Sequence, residues 1–599
     1  MASPTNKELA TLLQNISAAY QILGENRFKT IAYDKAASSV EHLTQEVKDY
    51  WKEGKLDQIP GVGKTMAEHF DELFTTGKVK HFEEILDKVP SSVFPLLFIP
   101  GLGPKKAYRL VIEFHFTNPE TVVEDLEKVA LSHKIASLEG YGEKSEQVIL
   151  ENIQTYKKGQ IKENRMSLPD ADLIVQELFT YLYKHKAVKQ VDALGSFRRQ
   201  VSTIGDIDLA VITSKPEEVV AYFVEFPHIK ITDQGPKGAT LLLHNGKQVD
   251  LRVQDEKSYG AMLQYFTGSK HHNIHLRTYA LEHDRSLSEH GIKNTKTGVL
   301  KEFKTEEEFY NELNMPYIPP EIREDRGEIE AALQHTLPDL ITLPDIKGDL
   351  HMHTNYQFPT SHDIGQSHVT AHLNLAQELG YEYIGLSDHN PKISDISVKE
   401  IVKIMEQRYN WYRAEHEKWK KDQVKNKKGT QVELFVSCEV DILVDGSLAL
   451  PNEAFEFVDG VVVSLHSSFR QTREDMTKRI IKALTSHPKV RIFGHPTGRL
   501  LLNREGVDAD WKEVMKICKD RDIALEINAY PDRLDLPDGL VRDAVEQDIK
   551  LCIDTDSHEV SQMRLMKYGI SVARRGWAEK KNSINTLDFS SFSQWFLRT

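Results

Sequence analysis

Seven short apolar runs after residue 346 dictate most of what this chain can fold into. KGDLHMH, YEYIGLSDH, VELFVSCEV, DGVVVSLH, VRIFGH, IALEINAY and LCIDTDSH are each of strand length, and helical spacing lies between them. Strands alternating with helices build a parallel sheet, and seven such units in sequence predict a barrel. Six of the seven runs also carry metal-binding residue types at or near their ends: His351 and His353, His389, Glu439, His466, His495, Asp556 and His558. Residues two apart on a strand share a face, so His351 with His353, and Asp556 with His558, point the same way. The C-terminal ends of parallel barrel strands are where such folds place their chemistry. A single histidine there is usually structural. Eight ligand types at the ends of six strands predict a cluster of two or three Zn²⁺ or Mn²⁺ ions held by mixed imidazole and carboxylate. Clustered ions lower the pKa of a coordinated water and neutralise a phosphoester under attack.

The front half carries two further patterns. IPGVGK, IPGLGPK and LEGYGEK recur about every 40 residues, each followed by a helical stretch. Glycine permits the tight turn and lets backbone N–H groups approach a phosphate. Gly61, Gly63, Lys64, Gly101, Gly103, Lys105, Gly140 and Gly142, with Lys144 after the third turn, are therefore candidate contacts to a nucleic-acid backbone. Next, GSFRRQVSTIGDIDLAV places Asp206 and Asp208 on one face of a strand, and Asp250 follows in KQVDLRV. Three carboxylates on neighbouring strands suit two divalent ions about 3.5–4 Å apart, the arrangement for in-line phosphoryl transfer.

These motifs resemble a known family. GSFRR…GDIDL, VDLRV and YFTGS are similar to the nucleotidyltransferase palm and thumb of the DNA polymerase X family, polymerase beta included, over about residues 1–318. The resemblance implies that Asp206, Asp208 and Asp250 are catalytic ligands of Mg²⁺ or Mn²⁺. It puts Gly195, Ser196, Arg199 and Gly205 at the incoming triphosphate, Tyr265, Phe266 and Gly268 along the sugar, and Asn273 and Arg277 at the nascent base pair, with Arg252 beside the third Asp. Residues 346–580 resemble the polymerase and histidinol phosphatase (PHP) domain. That implies a distorted (β/α)7 barrel with Zn²⁺- or Mn²⁺-dependent 3′–5′ exonuclease activity, and 3′-phosphatase or abasic-site cleavage as further reactions. The chain departs from the family twice. His69 stands where members with 5′-deoxyribose-phosphate lyase activity carry a lysine, and an imidazole cannot form the required imine. After HxH the chain runs NYQFPTSHDIGQSH instead of a short SDG-like turn, which leaves His362 and Asp363 as alternatives for a further ligand. Asn528 and Arg533 are read at the rim, either as turn residues or against substrate phosphate.

The expected organisation is multidomain, α+β and then α/β. It comprises a helical domain at 1–88, helix–hairpin–helix DNA binding at 89–165, palm at 166–258, thumb at 259–318, a proline-rich linker at 319–345 and the phosphoesterase at 346–599. The expected partners are gapped or nicked DNA and dNTPs, with the protein a monomer in the cytoplasm at the nucleoid. No apolar run reaches the ~20 residues of a membrane span, and Cys438, Cys518 and Cys552 form no CxxC pair. The formal charge of −14 leaves DNA contacts to backbone amides and a few placed cations, and so predicts salt-sensitive binding. Two other readings stay open from sequence: a nuclease whose polymerase half only holds DNA, and a small-molecule phosphatase with a fused scaffold.

Overall fold

The computed structural model describes residues 4–598 except 42, 44–45, 60, 100, 139–140, 158–164, 395 and 426–431. The chain divides into two units, 1–164 and 165–599. The first unit is helical. Its opening helix, Asn6–Leu23, starts from a capping box in which Thr5 and Glu8 satisfy each other's backbone N–H groups. Gly24, in the left-handed region at φ 70°, stops it. One core cluster runs through this unit, from Leu9 and Leu13 through Phe70 and Leu110 to Ile149 and Ile153.

The second unit begins with a five-stranded mixed sheet in the order Gln190–Ala193, Ile207–Ile212, Gln248–Gln254, Gly238–Leu242, Lys230–Gly235. Ile207–Ile212 and Gln248–Gln254 are parallel, and their register sets Asp208 directly beside Asp250. The helices Tyr259–Thr267, Lys270–Glu282 and Glu306–Glu312 follow. The stretch 319–345, expected as a linker, instead packs down. It carries the helix Glu328–Leu333, and Ile322, Ile329 and Ala332 join the cluster around Phe309 and Trp577. Proline content signals an end of regular structure there, but the apolar residues between the prolines still find a core.

All seven runs beyond residue 346 form strands, and every pairing is parallel. VELFVSCEV is broken into Glu433–Val436 and Glu439–Asp441. This yields one sheet of three strands and one of five. Isolated parallel bridges, His389 to Glu439 and Met352 to Ser557, link the two sheets and link the first run to the last. One buried residue from each run, Leu350, Tyr383, Phe435, Val462, Ile492, Ala524 and Cys552, enters a shared cluster with Phe592, Trp595 and Phe596. Those three aromatics belong to the helix Phe589–Leu597, and the Phe592 ring stacks on Tyr383 at 4.1 Å. This helix is a stopper for the strand interior, which explains why a C-terminal segment is so aromatic.

Charged groups join the parallel-strand part to the front sheet within this unit. Arg575 donates to Glu324 at 2.9 Å, to Asp538 at 2.8 Å and to the Arg199 carbonyl at 2.8 Å. Arg199 itself donates to Glu324 at 3.0 Å. Burial raises the Glu324 carboxyl, but Arg575 and Arg199 outweigh it and hold it at about 2. Its ordinary value is 4.5, so its stabilising contribution is complete above that pH and is lost as pH falls toward 2. Replacing one member of a buried ion pair strands the others. Arg575→Met is therefore expected to cost about 3 kcal/mol or more of the second unit's stability. Urea unfolding at pH 7 measures it, and an unchanged midpoint would mean the network adds no net stability.

Candidate metal centres and nucleic-acid interface

At the front sheet, Asp206 is exposed and Asp208 half-buried, two positions apart at the start of Ile207–Ile212. Burial, then Asp206, then Asp250, pushes the Asp208 carboxyl up to about 7. That crowding of negative charge is relieved by a cation. Gly195 has φ 56°, and a Cβ there would stand 2.6 Å from Asp208 Oδ2, so only glycine allows the short helix Gly195–Arg198 to approach the carboxylates. Ser196 lies in that same turn. The three carboxylates are not drawn together to within 4.8 Å of one another. Asp250 is instead held by Thr240 Oγ1 at 2.5 Å and Gln248 Nε2 at 2.7 Å.

The other expected nucleotide contacts gather around this centre. Arg199 Nη1 donates to the Thr267 carbonyl at 2.6 Å and lies 3.2 Å from where a Gly268 Cβ would stand. The Arg252 guanidinium sits 4.2 Å from the Phe266 ring centre, and Arg277 4.8 Å from that of Tyr265. Asn273 donates to the Tyr265 carbonyl at 2.7 Å, which fixes its amide one helix away from the aromatic pair. Gly205 faces Arg165, whose Nη1 is 3.4 Å from a built Cβ.

The second centre is tighter. One ligand atom each from His351, His353, Glu439 and Asp556 lie within 4.8 Å of one another, and all four residues are buried. His353, His389 and His558 form an overlapping group, as do His389, Glu439 and His466. Glu439 is the hub. Its Oε2 is 3.0 Å from His389 Nδ1 and 3.2 Å from His351 Nε2, and its Oε1 is 2.9 Å from His495 Nε2 and 3.3 Å from His466 Nε2. Burial opposes its charge, yet His351, His389 and His466 hold its carboxyl well below the usual range. Burial lowers His353 to about 3, helped by His389 and His558. His351 Nε2, His353 Nδ1, His389 Nδ1, Glu439 Oε2, His495 Nδ1 and His558 Nε2 are buried without a hydrogen bond. Buried polar atoms almost always have partners, and unsatisfied imidazole and carboxylate atoms among overlapping ligand groups fit divalent ions.

An outer layer aims these ligands. His351 Nδ1 meets Glu526 Oε1 at 2.6 Å, and Asn528 Nδ2 bridges Glu526 at 3.2 Å and Asp556 at 3.1 Å. Such partners fix the tautomer and basicity of a ligating imidazole. Glu526 and Asp441 escaped sequence reading. Asp441 forms a further group with His362 and His466, 2.7 Å from His466 Nδ1 and 3.0 Å from His362 Nε2. The signal was present, since Asp441 lies two residues after Glu439, the same spacing as HxH. Of the two alternatives in the long turn, His362 belongs to a candidate metal group. Asp363 lies 3.7 Å from His389 and 3.4 Å from His558, with its side chain 76% exposed. Arg533 Nε stands 3.5 Å from Asp556 Oδ2.

In the helical unit, Gly61 and Gly101 adopt φ 78° and 77°, as the turns require. Gly63 and Gly103 cap the helices Lys64–Thr76 and Pro104–Glu113 without any side-chain hydrogen bond, and a Cβ at either would meet open space. Backbone N–H groups at a helix start left open in this way are anion sites. Lys64 and Lys105 fall in the first turns of those helices. Gly142 precedes Glu143–Lys157, while Gly140 and the side chain of Lys144 lie outside the described residues. His69 stacks on His81 at 5.1 Å.

Comparison with known proteins agrees with this layout. Residues 4–79 match a helix-hairpin-helix domain, and residues 262–324 match the DNA polymerase beta thumb. The chain is 32% identical over 97% of its own length, and 97% of the relative's, to the DNA polymerase/3′-5′ exonuclease PolX of Bacillus subtilis (strain 168). It is 25% identical to the DNA polymerase lambda of Rattus norvegicus over 54% of this chain and 57% of that one. It is 24% identical to the DNA polymerase lambda of Arabidopsis thaliana over 34% of each.

Proposed function

This chain belongs to the bacterial family X DNA polymerases, and from that premise we propose that it fills short gaps during DNA repair at its front sheet and trims 3′ ends at its second centre. It is a DNA polymerase with a 3′–5′ exonuclease. The observation that carries the reading is the coexistence of two separate acidic centres, Asp206–Asp208–Asp250 and the Glu439-centred cluster, in one chain.

Divalent ions bound at these centres supply charge neutralisation and an acidified water. Asp206, Asp208 and Asp250 hold the pair at the front sheet, and Gly195, Ser196, Arg199 and Gly205 receive the triphosphate. Tyr265, Phe266 and Gly268 line the sugar, with Asn273 and Arg277 at the new base pair. At the second centre His351, His353, His389, Glu439, His466, His495, Asp556 and His558 hold two or three Zn²⁺ or Mn²⁺ ions. Asp441 and His362 extend the set, and Arg533 orients the phosphate. The hairpins grip the backbone of gapped or nicked DNA. The protein works as a monomer in the cytoplasm at the nucleoid; among the described residues no helix is long and apolar enough to cross a membrane.

The test is a labelled primer on a one-nucleotide-gapped duplex with Mn²⁺, with and without dNTPs. Wild type should lengthen the primer with dNTPs and shorten it without them, and Asp206→Ala and His351→Ala/His353→Ala should each lose one behaviour. Shortening alone from wild type would reduce the front sheet to a DNA holder. A further expectation concerns His69. Borohydride treatment with a 5′-deoxyribose-phosphate flap should trap no covalent adduct, because an imidazole offers no primary amine. A trapped adduct would reveal another nucleophilic lysine.

A further inference from the structure

A cleft of about 690 Å³ opens beside the second centre, lined by Ser468, Phe469, Arg470, Asn503, Arg504, Glu505 and Gly506. That volume is in the range of small-molecule and nucleotide sites. One wall, Ser468 to Arg470, starts two residues after His466 in the loop that follows the strand Val461–Ser464, and the other, Asn503 to Gly506, lies in the segment that follows the strand Val490–Gly494 and His495.

The cleft is built around one stacked pair. The Arg504 guanidinium lies 3.7 Å from the Phe469 ring centre, in cation–π contact. Arg504 is locked in place, because Nε and Nη2 both donate to the Gly498 carbonyl at 2.9 and 2.7 Å. Gly498 has φ 61°, and a Cβ there would stand 2.7 Å from Phe469 Cε1, so glycine is what lets the ring seat. Phe469 nevertheless stays half-buried and lines the cleft. Arg470 is exposed on the same wall. Arg533, next to Asp556, is close enough that its charge, after burial, lowers the Arg504 pKa. Arg504 and Arg533 repel each other, and Arg470 with Arg504 outnumbers the one carboxylate of the lining, Glu505, so the cleft wall suits a polyanion. An aromatic face interleaved with cations along a backbone track is the chemistry of unpaired nucleic acid.

We propose that this cleft is a subsite for an unpaired nucleobase adjacent to the 3′ nucleotide being removed, with Phe469 as the stacking face and Arg470 and Arg533 on the flanking phosphates. The proposal rests on the reading of the second centre as a 3′–5′ exonuclease. A base can enter only after it leaves its partner strand, so the subsite favours frayed or mispaired 3′ ends over paired ones. Stacking tolerates every base, so no sequence preference follows.

The test uses the full chain in EDTA, to hold cleavage off, with a single-stranded oligonucleotide carrying 2-aminopurine one position from its 3′ end. Stacking quenches this base. Wild type should quench it on binding. Phe469→Ala should remove the quenching and weaken binding about fivefold or more, the lower end of what one base stack contributes. Phe469→Tyr, which keeps the ring, should restore both. Phe469→Leu keeps the bulk without the aromatic face and so covers the case in which the alanine variant collapses. Quenching by Phe469→Leu equal to wild type, or none by wild type, overturns the subsite. Wild-type trimming in Mn²⁺ is read separately: its absence overturns the exonuclease reading, whereas trimming with unaltered quenching in Phe469→Leu overturns only the subsite.

Discussion

Asp208→Ala is expected to abolish nucleotide addition to a gapped primer while 3′ trimming persists. Asp208 is the carboxylate that the sheet register sets beside Asp250, and Gly195 turns tightly against it. Burial and its two acidic neighbours hold its carboxyl up at about 7, so the site is strained toward a cation before any ligand arrives. Removing one charge stabiliser of a transition state costs about a thousandfold in rate, and here it also removes a metal ligand. Primer extension with Mg²⁺ and dNTPs should therefore fall by about a thousandfold or more. Trimming should continue because none of the second cluster's groups includes a residue of the front sheet. Loss of both reactions in a folded variant would mean the centres are coupled chemically.

Glu439→Gln is expected to do the reverse. Two oxygens of one buried carboxylate meet four imidazoles, those of His351, His389, His466 and His495, at 2.9–3.3 Å. The glutamine amide keeps the volume, but it presents an NH₂ group to imidazoles and removes the charge that overlapping metal groups would share. The exonuclease rate should drop by about three orders of magnitude, the scale again set by losing preorganised charge at the reacting phosphate. Zinc or manganese content, measured by mass spectrometry on the purified protein, should fall by at least one ion. Retained trimming with full metal content would remove Glu439 from the hub role.

Much of this was legible in the sequence because strand geometry is simple. A spacing of two puts side chains on one face, so HMH, DID and DSH disclosed their pairing. Glycine turns are equally local, and three copies declared the hairpins. Asp441 and Glu526 are harder to read from sequence. Glu526 sits inside an apolar strand, where one carboxylate looks like an isolated polar residue until its partner 175 positions away is known, whereas Asp441 repeats the two-residue spacing from Glu439 and its partner His466 lies 25 positions on. The stopper helix FSSFSQWFL showed its aromatics, but only the strand interior reveals what they fill. The packing at 319–345 is not legible in the sequence because proline reports on backbone regularity and says little about burial. Sequence puts Arg199 at a triphosphate but does not show its partners Glu324 and Arg575, which lie 125 and 376 residues away.

Arg575, wedged between Glu324, Asp538 and the Arg199 backbone, has a bearing on how a DNA end changes hands. The two centres lie in one compact unit and are riveted by polar contacts. On such a mount a mispaired terminus would pass from one centre to the other by release from the front sheet and recapture. Proofreading then becomes a kinetic race between incorporation and escape, tuned by how quickly the terminus melts and by the salt that loosens its backbone contacts.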